Sequence, residues 1–271
     1  MTPIQSIVLG FIQGATEFIP VSSSAHLVII PFLFGWHIPE QEAFIFDVLV
    51  QLGTLLAVIG YFWRDLIDIM RGFLLGLWQK QPFGSPQARI GWVLILATIP
   101  AGLAGLVFKP IVEKAFNSPQ AVALFLLVTA VFLLLAERIG KRNRSLEKIN
   151  WVDALIMGIF QMIALLPGVS RSGSTISGGM LRGLERPAAA RFSFLMSIPI
   201  MLAAGLLASL DLLAIPGSKE ILFSFIPGFM TATIVGYLSI RWLLGYLAKR
   251  SLYIFAIYCG LLSIITLLAY T

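Results

Sequence analysis

Residues 10–26 read GFIQGATEFIPVSSSAH and residues 158–175 read GIFQMIALLPGVSRSGST. Each stretch is an apolar segment that a proline interrupts and a serine cluster follows. The apolar arms on either side of the break have about 15 residues, fewer than the ~20 that a membrane-crossing helix needs. We therefore interpret 3–35 and 151–185 as re-entrant helix–turn–helix hairpins, because irregular backbone at membrane depth is stable only when protein or a wet cavity surrounds it.

The composition of the whole chain is that of a membrane protein. It has 271 residues, of which 58% are hydrophobic and 12% charged, with a mean hydropathy of +0.93; a soluble domain has roughly 25% charged residues. Segment 65–78 alternates charged and apolar residues, which is typical of an interfacial helix. The sequence predicts a single all-α polytopic domain over 1–271, with six transmembrane helices and two hairpins. The predicted spans are 43–63, 91–108, 119–137, 192–212, 223–243 and 252–270.

The two hairpins also resemble each other. At a constant offset of 148 residues, Gly10 matches Gly158, Gln13 matches Gln161, and Val21, Ser22, Ser24, Phe44 and Phe46 match identical residues. This spacing favours a duplication with pseudo-repeats of about 1–140 and 150–271. Three predicted spans separate the hairpins, so the second half would be inverted, an arrangement known from transporters.

Basic residues indicate the orientation. Flanks 64–90, 138–150, 182–191 and 241–251 carry 15 Lys and Arg, whereas flanks 109–118 and 211–222 carry 3. Because basic loops stay in the cytoplasm, we expect a multi-pass protein of the bacterial plasma membrane with both termini periplasmic. The net charge of +6 therefore reflects topology, and no nucleic-acid partner is expected. The single cysteine, Cys259, excludes an intrachain disulfide.

Arg171 is the one basic residue outside those flanks, in the turn of the second hairpin. A guanidinium grips phosphate through parallel hydrogen bonds, and a helix N-terminus adds free N–H groups. Its neighbours would complete an anion cradle; they are Ser170, Ser172, Gly173, Ser174 and Thr175. The alternative is a structural arginine neutralised by a carboxylate.

The first hairpin offers complementary groups. Gln13 and Glu17 are four residues apart and so share a helix face. The serines Ser22–Ser24 and His26 follow them, and serine, histidine and glutamate together suit nucleophilic attack with proton transfer. The alternative interpretation has no catalytic role: His26 would be a hydrogen-bonded buried histidine, and the serines would cap a helix. Asp47, near the outer start of a span, either supports this site or caps its helix.

Through the motifs of its two hairpins, the chain resembles a known family, the bacterial undecaprenyl-diphosphate phosphatases. Residues 13–26 are similar to the family's first motif, and residues 167–175, PGVSRSGST, to its second. Further similarity lies at 46–48, 51–54 and 177–180. The resemblance implies six spans, two re-entrant hairpins and inverted repeats.

It also implies hydrolysis of undecaprenyl diphosphate to undecaprenyl phosphate and phosphate, which recycles the lipid carrier for peptidoglycan and confers bacitracin resistance. The resemblance implies that the catalytic residues are Glu17, Ser23, His26 and Arg171. It also implies that the phosphates are bound by Ser22, Ser170, Ser172, Gly173 and Thr175. A divalent cation, Mg²⁺ or Ca²⁺, is implied. Gln13 stands where many members have Glu, so Gln13 and Glu17 are only weak candidates for its ligands. Asp47 stands where some relatives have Glu.

One rival function stays open at this stage: a flippase or carrier of polyprenyl phosphate, or of another anion. An inverted repeat would suit a carrier, whose hairpins would bind the lipid without cleaving it. The expected partners are a polyprenyl diphosphate and membrane lipid, and the sequence is compatible with a homodimer.

Overall fold

The computed structural model describes residues 1–116, 118–213 and 218–269, without the side chains of 109–116, 212, 213, 218–222 and 224. Within these ranges the regular elements are helical, apart from one isolated bridge between Arg144 and Leu184. The α-helices of the described ranges are α1 (Pro3–Phe18), α2 (Ser23–Leu33), α3 (Glu40–Tyr61), α4 (Trp63–Trp78), α5 (Pro86–Phe116), α6 (Pro119–Ile139), α7 (Trp151–Ile163), α8 (Arg171–Leu181), α9 (Arg186–Leu213), α10 (Ser218–Leu247) and α11 (Tyr253–Ala269).

Four helices of the described ranges are long and apolar enough to cross a membrane. They are Glu40–Tyr61, Pro86–Phe108, Pro119–Ile139 and Arg186–Asp211. These helices and α11 carry apolar outer faces: Leu103, Leu206 and Ile254 are 61%, 64% and 59% exposed. Such faces are compatible with lipid rather than water. The predicted polytopic, all-helical class is confirmed. The predicted span 223–243 falls within α10, and α11 covers 253–269 of the predicted span 252–270, whose last residue lies outside the described residues.

Each predicted hairpin consists of two short helices joined by a turn. In the first, α1 has 16 residues and α2 has 11; in the second, α7 has 13 and α8 has 11. The first arm of each begins with a capping box, at Thr2 and at Asn150. The second arm of each begins with a serine cap, at Ser22 and at Ser170. Side-chain caps satisfy the free N–H groups of a first turn, so both turns end in well-formed helix N-termini.

The hairpins pack on helices that are distant in sequence. Helix α1 lies against α10 and α7 lies against α5, while α6 contacts α11. Small residues allow this approach, since a Cβ on Gly10 would lie 2.3 Å from the Gly228 carbonyl oxygen and one on Gly158 would lie 2.6 Å from that of Ala97. The N-terminal hairpin is thus held by the C-terminal half, and the second hairpin by the N-terminal half.

A buried carboxylate fixes the base of the second hairpin. The Asp153 side chain, at the start of α7, accepts from Arg144 at 2.6 and 3.0 Å and from Arg182 at 2.9 Å. Arg144 also donates to the Arg182 carbonyl, at the end of α8, over 2.8 Å. These hydrogen bonds to Asp153 raise the pKa of the Arg144 guanidinium. Arg144 therefore joins the start of α7 to the end of α8 at the base of the second hairpin.

Candidate active site

The turns of the two hairpins meet at the carboxylate of Glu17. Its Oε1 accepts from Arg171 Nη2 over 2.6 Å. Its Oε2 accepts from Ser23 Oγ over 2.5 Å and from Gln13 Nε2 over 3.0 Å. The structure thus brings together four of the residues predicted from the sequence, from three different helices.

Local sequence explains these positions. Gln13 lies one helical turn before Glu17 on α1, so their side chains meet on one face. The chain reverses around Pro20, which returns Ser23, the first residue of α2, to the end of α1. Arg171 is the first residue of α8. The Arg171 and Glu17 side chains are 19% and 8% exposed, so the pair is largely buried yet reachable.

The two turns are also joined by a reciprocal pair of hydrogen bonds. Ser24 Oγ accepts from the Gly168 amide over 3.3 Å, and Ser172 Oγ donates to the Ile19 carbonyl over 3.4 Å. Ser24 and Ser172 are a matched pair at the 148-residue offset. Equivalent serines of the two hairpins therefore each form a hydrogen bond with the backbone of the opposite turn.

Several predicted phosphate-binding groups are engaged within the protein. Ser22 Oγ caps α2 by accepting from the Ala25 amide, and Ser170 Oγ caps α8 by accepting from the Gly173 amide over 3.0 Å. The Thr175 hydroxyl donates to the Arg171 carbonyl over 2.8 Å and contacts Ser193 Oγ at 2.5 Å. The Gly173 amide and Thr175 hydroxyl therefore hold the turn, and phosphate contacts by these two stay a prediction.

Backbone conformations at the turns are unusual. Ser22 has a φ of 70° and Gly168 a φ of 99°. Gly168 also packs so tightly that a Cβ there would lie 2.1 Å from the Val122 carbonyl oxygen of α6. A non-glycine residue with positive φ is uncommon and is often found at functional sites. The backbone of Ser22 thus adopts an unfavourable conformation, in which its carbonyl oxygen faces His26 Nδ1.

Thr129 of α6 supports the second turn and was missed by the sequence analysis. Its hydroxyl accepts from the Ser170 amide over 2.8 Å and donates to the Gly168 carbonyl over 3.4 Å. Its side chain is fully buried. A threonine within an apolar span is ordinarily hydrogen-bonded to its own helix, so the sequence carried no signal for this role.

The described hydrogen bonds of the His26 ring do not include Glu17 or Ser23. Its Nδ1 is 2.7 Å from the Ser22 carbonyl oxygen and its Nε2 is 2.7 Å from the Tyr258 hydroxyl. Asp47 lies in α3 next to Phe46, which packs on Phe225 of α10. Within the described ranges, Asp47 is not among the partners of Glu17, Ser23 or Arg171.

Membrane-length helices with apolar outer faces, enclosing a carboxylate–guanidinium pair, define a multi-pass membrane protein with a buried polar site. The family profile described as bacitracin resistance protein BacA matches residues 6–265. The chain therefore belongs to this family.

Relatives support the same assignment. The chain is 45% identical over 263 residues to a protein of Moorella thermoacetica named undecaprenyl-diphosphatase, covering 97% of this chain and 96% of the relative. Proteins of the same name from Thermomicrobium roseum and Chloroherpeton thalassium are 44% and 42% identical. They cover 97% and 98% of this chain and 96% of their own lengths. The similarity thus includes both hairpins.

Proposed function

We propose that this protein hydrolyses undecaprenyl diphosphate to undecaprenyl phosphate and inorganic phosphate. The reaction returns the lipid carrier to peptidoglycan synthesis and confers bacitracin resistance. The observation that carries the proposal is one carboxylate, Glu17, bound at the same time to the Ser23 hydroxyl and the Arg171 guanidinium. A nucleophile, its base and a phosphate-binding cation are therefore in contact before substrate arrives.

The proposed membrane arrangement has six spans, two re-entrant hairpins and inverted halves, with both termini periplasmic. The distribution of basic flanks supports the orientation. The reciprocal Ser24 and Ser172 contacts support an inverted repeat, as does the packing of each hairpin on the opposite half. Hairpins that enter from opposite faces would place their turns near the middle of the bilayer.

Arg171 is the proposed binding group for the diphosphate. Among the described residues its side chain makes one hydrogen bond, through Nη2 to Glu17, whereas a guanidinium has five N–H donors. The remaining donors are available to phosphoryl oxygens in the parallel geometry that phosphate favours. A purely structural ion pair would not need the pair to remain partly exposed. The prenyl tail stays in lipid beside the bundle.

In the proposed reaction Ser23 attacks the terminal phosphorus in line. A bond forms between Ser23 Oγ and phosphorus, the bridging P–O bond breaks, and the Oγ proton passes to Glu17 Oε2, which already accepts it as a hydrogen bond. The leaving group is undecaprenyl phosphate. Water then cleaves the phosphoserine to release phosphate, and Arg171 stabilises the charge on the transferring phosphoryl group.

His26 is proposed to exchange a proton with the leaving phosphate or the hydrolytic water. It lies three residues after Ser23, on the same side of α2. Neutral imidazole can take up and release a proton at physiological pH, which a serine or glutamine cannot do.

The donors of the site fit a hard divalent cation that arrives with the substrate. Mg²⁺ is usually held by one or two carboxylates together with substrate phosphates. Gln13 Oε1 is buried and has no hydrogen-bond partner among the described residues, and its amide nitrogen contacts Glu17. We therefore assign Gln13 and Glu17 as the protein ligands of Mg²⁺ or Ca²⁺. When bound, the cation would neutralise part of the diphosphate charge.

Phosphate release by the purified protein tests the proposed function. Undecaprenyl diphosphate in detergent is the substrate, and the assay is run with Mg²⁺, with Ca²⁺ and with a chelator. We expect release that the chelator abolishes and that Arg171→Ala loses. A carrier would bind the lipid but release no phosphate, so binding without release would replace this proposal by transport.

A further inference from the structure

Tyr258 of α11 is the partner of His26. The Tyr258 hydroxyl is 2.7 Å from His26 Nε2, across 232 residues of sequence. The two ring planes are parallel within 1°, with centroids 5.6 Å apart. The phenol is 43% exposed whereas His26 is 3% exposed, so Tyr258 covers the Nε2 side of the imidazole.

The hydrogen bonds determine the tautomer of His26. Nδ1 faces the Ser22 carbonyl, which can only accept a hydrogen bond, so Nδ1 must carry a proton. In the neutral ring, Nε2 then presents its lone pair, and the Tyr258 hydroxyl donates to it. If Nε2 takes up a proton, the same contact persists with the phenol oxygen as acceptor. Both protonation states of Nε2 are therefore satisfied without movement of either ring.

Helix α11 holds Tyr258 in place. The neighbouring Cys259 Sγ donates to the Pro20 carbonyl over 3.7 Å, and Ser263 Oγ donates to the Ala123 carbonyl of α6 over 2.6 Å. These contacts fix α11 against the first turn and against α6. The phenol thus stands on a supported helix, as a group that orients another side chain must.

We propose that Tyr258 takes part in the proton transfer of His26: the Ser22 carbonyl keeps the proton on Nδ1, and the Tyr258 hydroxyl fixes the ring plane and passes protons to and from Nε2. This inference rests on the proposed function, in which His26 transfers protons. Orienting partners of functional histidines commonly fix the ring plane, and a phenol O–H can both donate and accept a hydrogen bond. Because this hydroxyl occupies Nε2, a proton that reaches Nε2 comes from the Tyr258 O–H, which takes up one from the hydrolytic water at the same time.

Kinetics of Tyr258→Phe in the full-length protein test the role. This variant keeps the ring and removes the hydroxyl. We expect kcat to fall by about tenfold to a hundredfold with an unchanged KM, because the variant loses the hydroxyl through which Nε2 exchanges protons and keeps the phosphate-binding groups. The matched control is Tyr237→Phe in α10, which is 42% exposed, and it should keep wild-type kcat. An unchanged kcat in Tyr258→Phe, or an equal loss in the control, would overturn the proposal.

Nitrogen NMR tests the tautomer without any turnover. The chain has two histidines, so ¹⁵N-histidine labelling gives two sets of ring signals and His37→Gln assigns them. Wild-type protein should show His26 with a protonated Nδ1 and a hydrogen-bonded Nε2 lone pair, and Tyr258→Phe should shift the Nε2 signal alone. A protonated Nε2 in neutral wild-type His26, or identical spectra, would refute the inference. Absence of phosphate release from wild type would instead refute the proposed function.

Discussion

The Arg171 guanidinium donates over 2.6 Å to Glu17, which is 154 residues away in sequence, where the two hairpins meet. Both side chains are mostly buried, so neither charge has ready access to water as a replacement partner. The pair serves two purposes: it joins the hairpins, and it holds Arg171 where a phosphate would enter. These purposes respond differently to substitution.

Replacing either Glu17 or Arg171 by a neutral residue should therefore lower stability more than replacing both. We expect Glu17→Gln or Arg171→Met to lower the free energy of unfolding by about 3–5 kcal/mol, because an uncompensated charge stays buried. The double variant should recover most of this loss and remain inactive, with activity reduced by roughly a thousandfold or more. Thermal unfolding in detergent and phosphate release measure the two effects. An active double variant would contradict the site.

Removal of the Ser23 hydroxyl should abolish the chemical step. We expect Ser23→Ala to lose roughly a thousandfold or more in kcat and to keep substrate binding, because its hydroxyl is the proposed nucleophile. Rapid quenching with substrate labelled in the terminal phosphate should trap phosphoserine in the wild type alone. Ser209→Ala is the control, since that hydroxyl donates within α9 to the Gly205 carbonyl. Labelled phosphoprotein in Ser23→Ala would assign the nucleophile elsewhere.

Gln13→Glu should strengthen cation binding. It places a second carboxylate beside Glu17 with only one guanidinium to neutralise both, so the site should recruit Mg²⁺ more readily. We expect the Mg²⁺ concentration for half-maximal phosphate release to fall by about tenfold, or about 1.4 kcal/mol. Gln13→Leu should raise that concentration. Identical Mg²⁺ titrations for all three proteins would exclude Gln13 as a ligand.

Thr129→Val should disturb the second turn, since it leaves the Ser170 amide unpaired in a buried position. We expect a loss of about 1–3 kcal/mol in unfolding free energy and a fall in kcat as Arg171 shifts. Thr129→Ser keeps the hydroxyl and should restore both properties. Wild-type properties in the Val variant together with a defect in the Ser variant would point to packing of the methyl group instead of the hydrogen bonds.

Gly168→Ala should be among the most destabilising alanine substitutions in the protein. Its φ of 99° is unfavourable for alanine, and the new Cβ would meet the Val122 carbonyl at 2.1 Å. Strain and overpacking together should cost about 2–5 kcal/mol. Gly102→Ala in α5 has no atom within 4 Å of its Cβ and should be neutral or slightly stabilising. Equal melting temperatures for the two variants would disprove the tight turn.

The local features of both hairpins could be predicted from the sequence. The proline break, the serine caps and the shared face of Gln13 and Glu17 all depend on neighbours within four residues. The contact of Arg171 with Glu17 could also be anticipated, because a cation within the membrane requires an anionic partner. The features that the sequence predicted therefore depend either on nearby residues or on the need to neutralise a buried charge.

Contacts that arise from packing could not be predicted. Thr129 and Tyr258 lie in ordinary apolar helices, and only the docking of α6 and α11 directs their hydroxyls to the hairpins. The sequence groups His26 with Glu17 and Ser23 without giving the direction of its ring. Because α2 begins at Ser23, His26 lies one turn above the Ser22 carbonyl, to which both its backbone amide and its ring are bonded.

The exchange of packing partners between the halves has a consequence for biosynthesis. Helix α1 leaves the ribosome early, but α10, on which it rests, begins at Ser218. The first hairpin is therefore made long before its packing partner, while most of the chain is still to be translated. Protein truncated before α10 should be inserted but inert, and a prime substrate for membrane quality-control proteases.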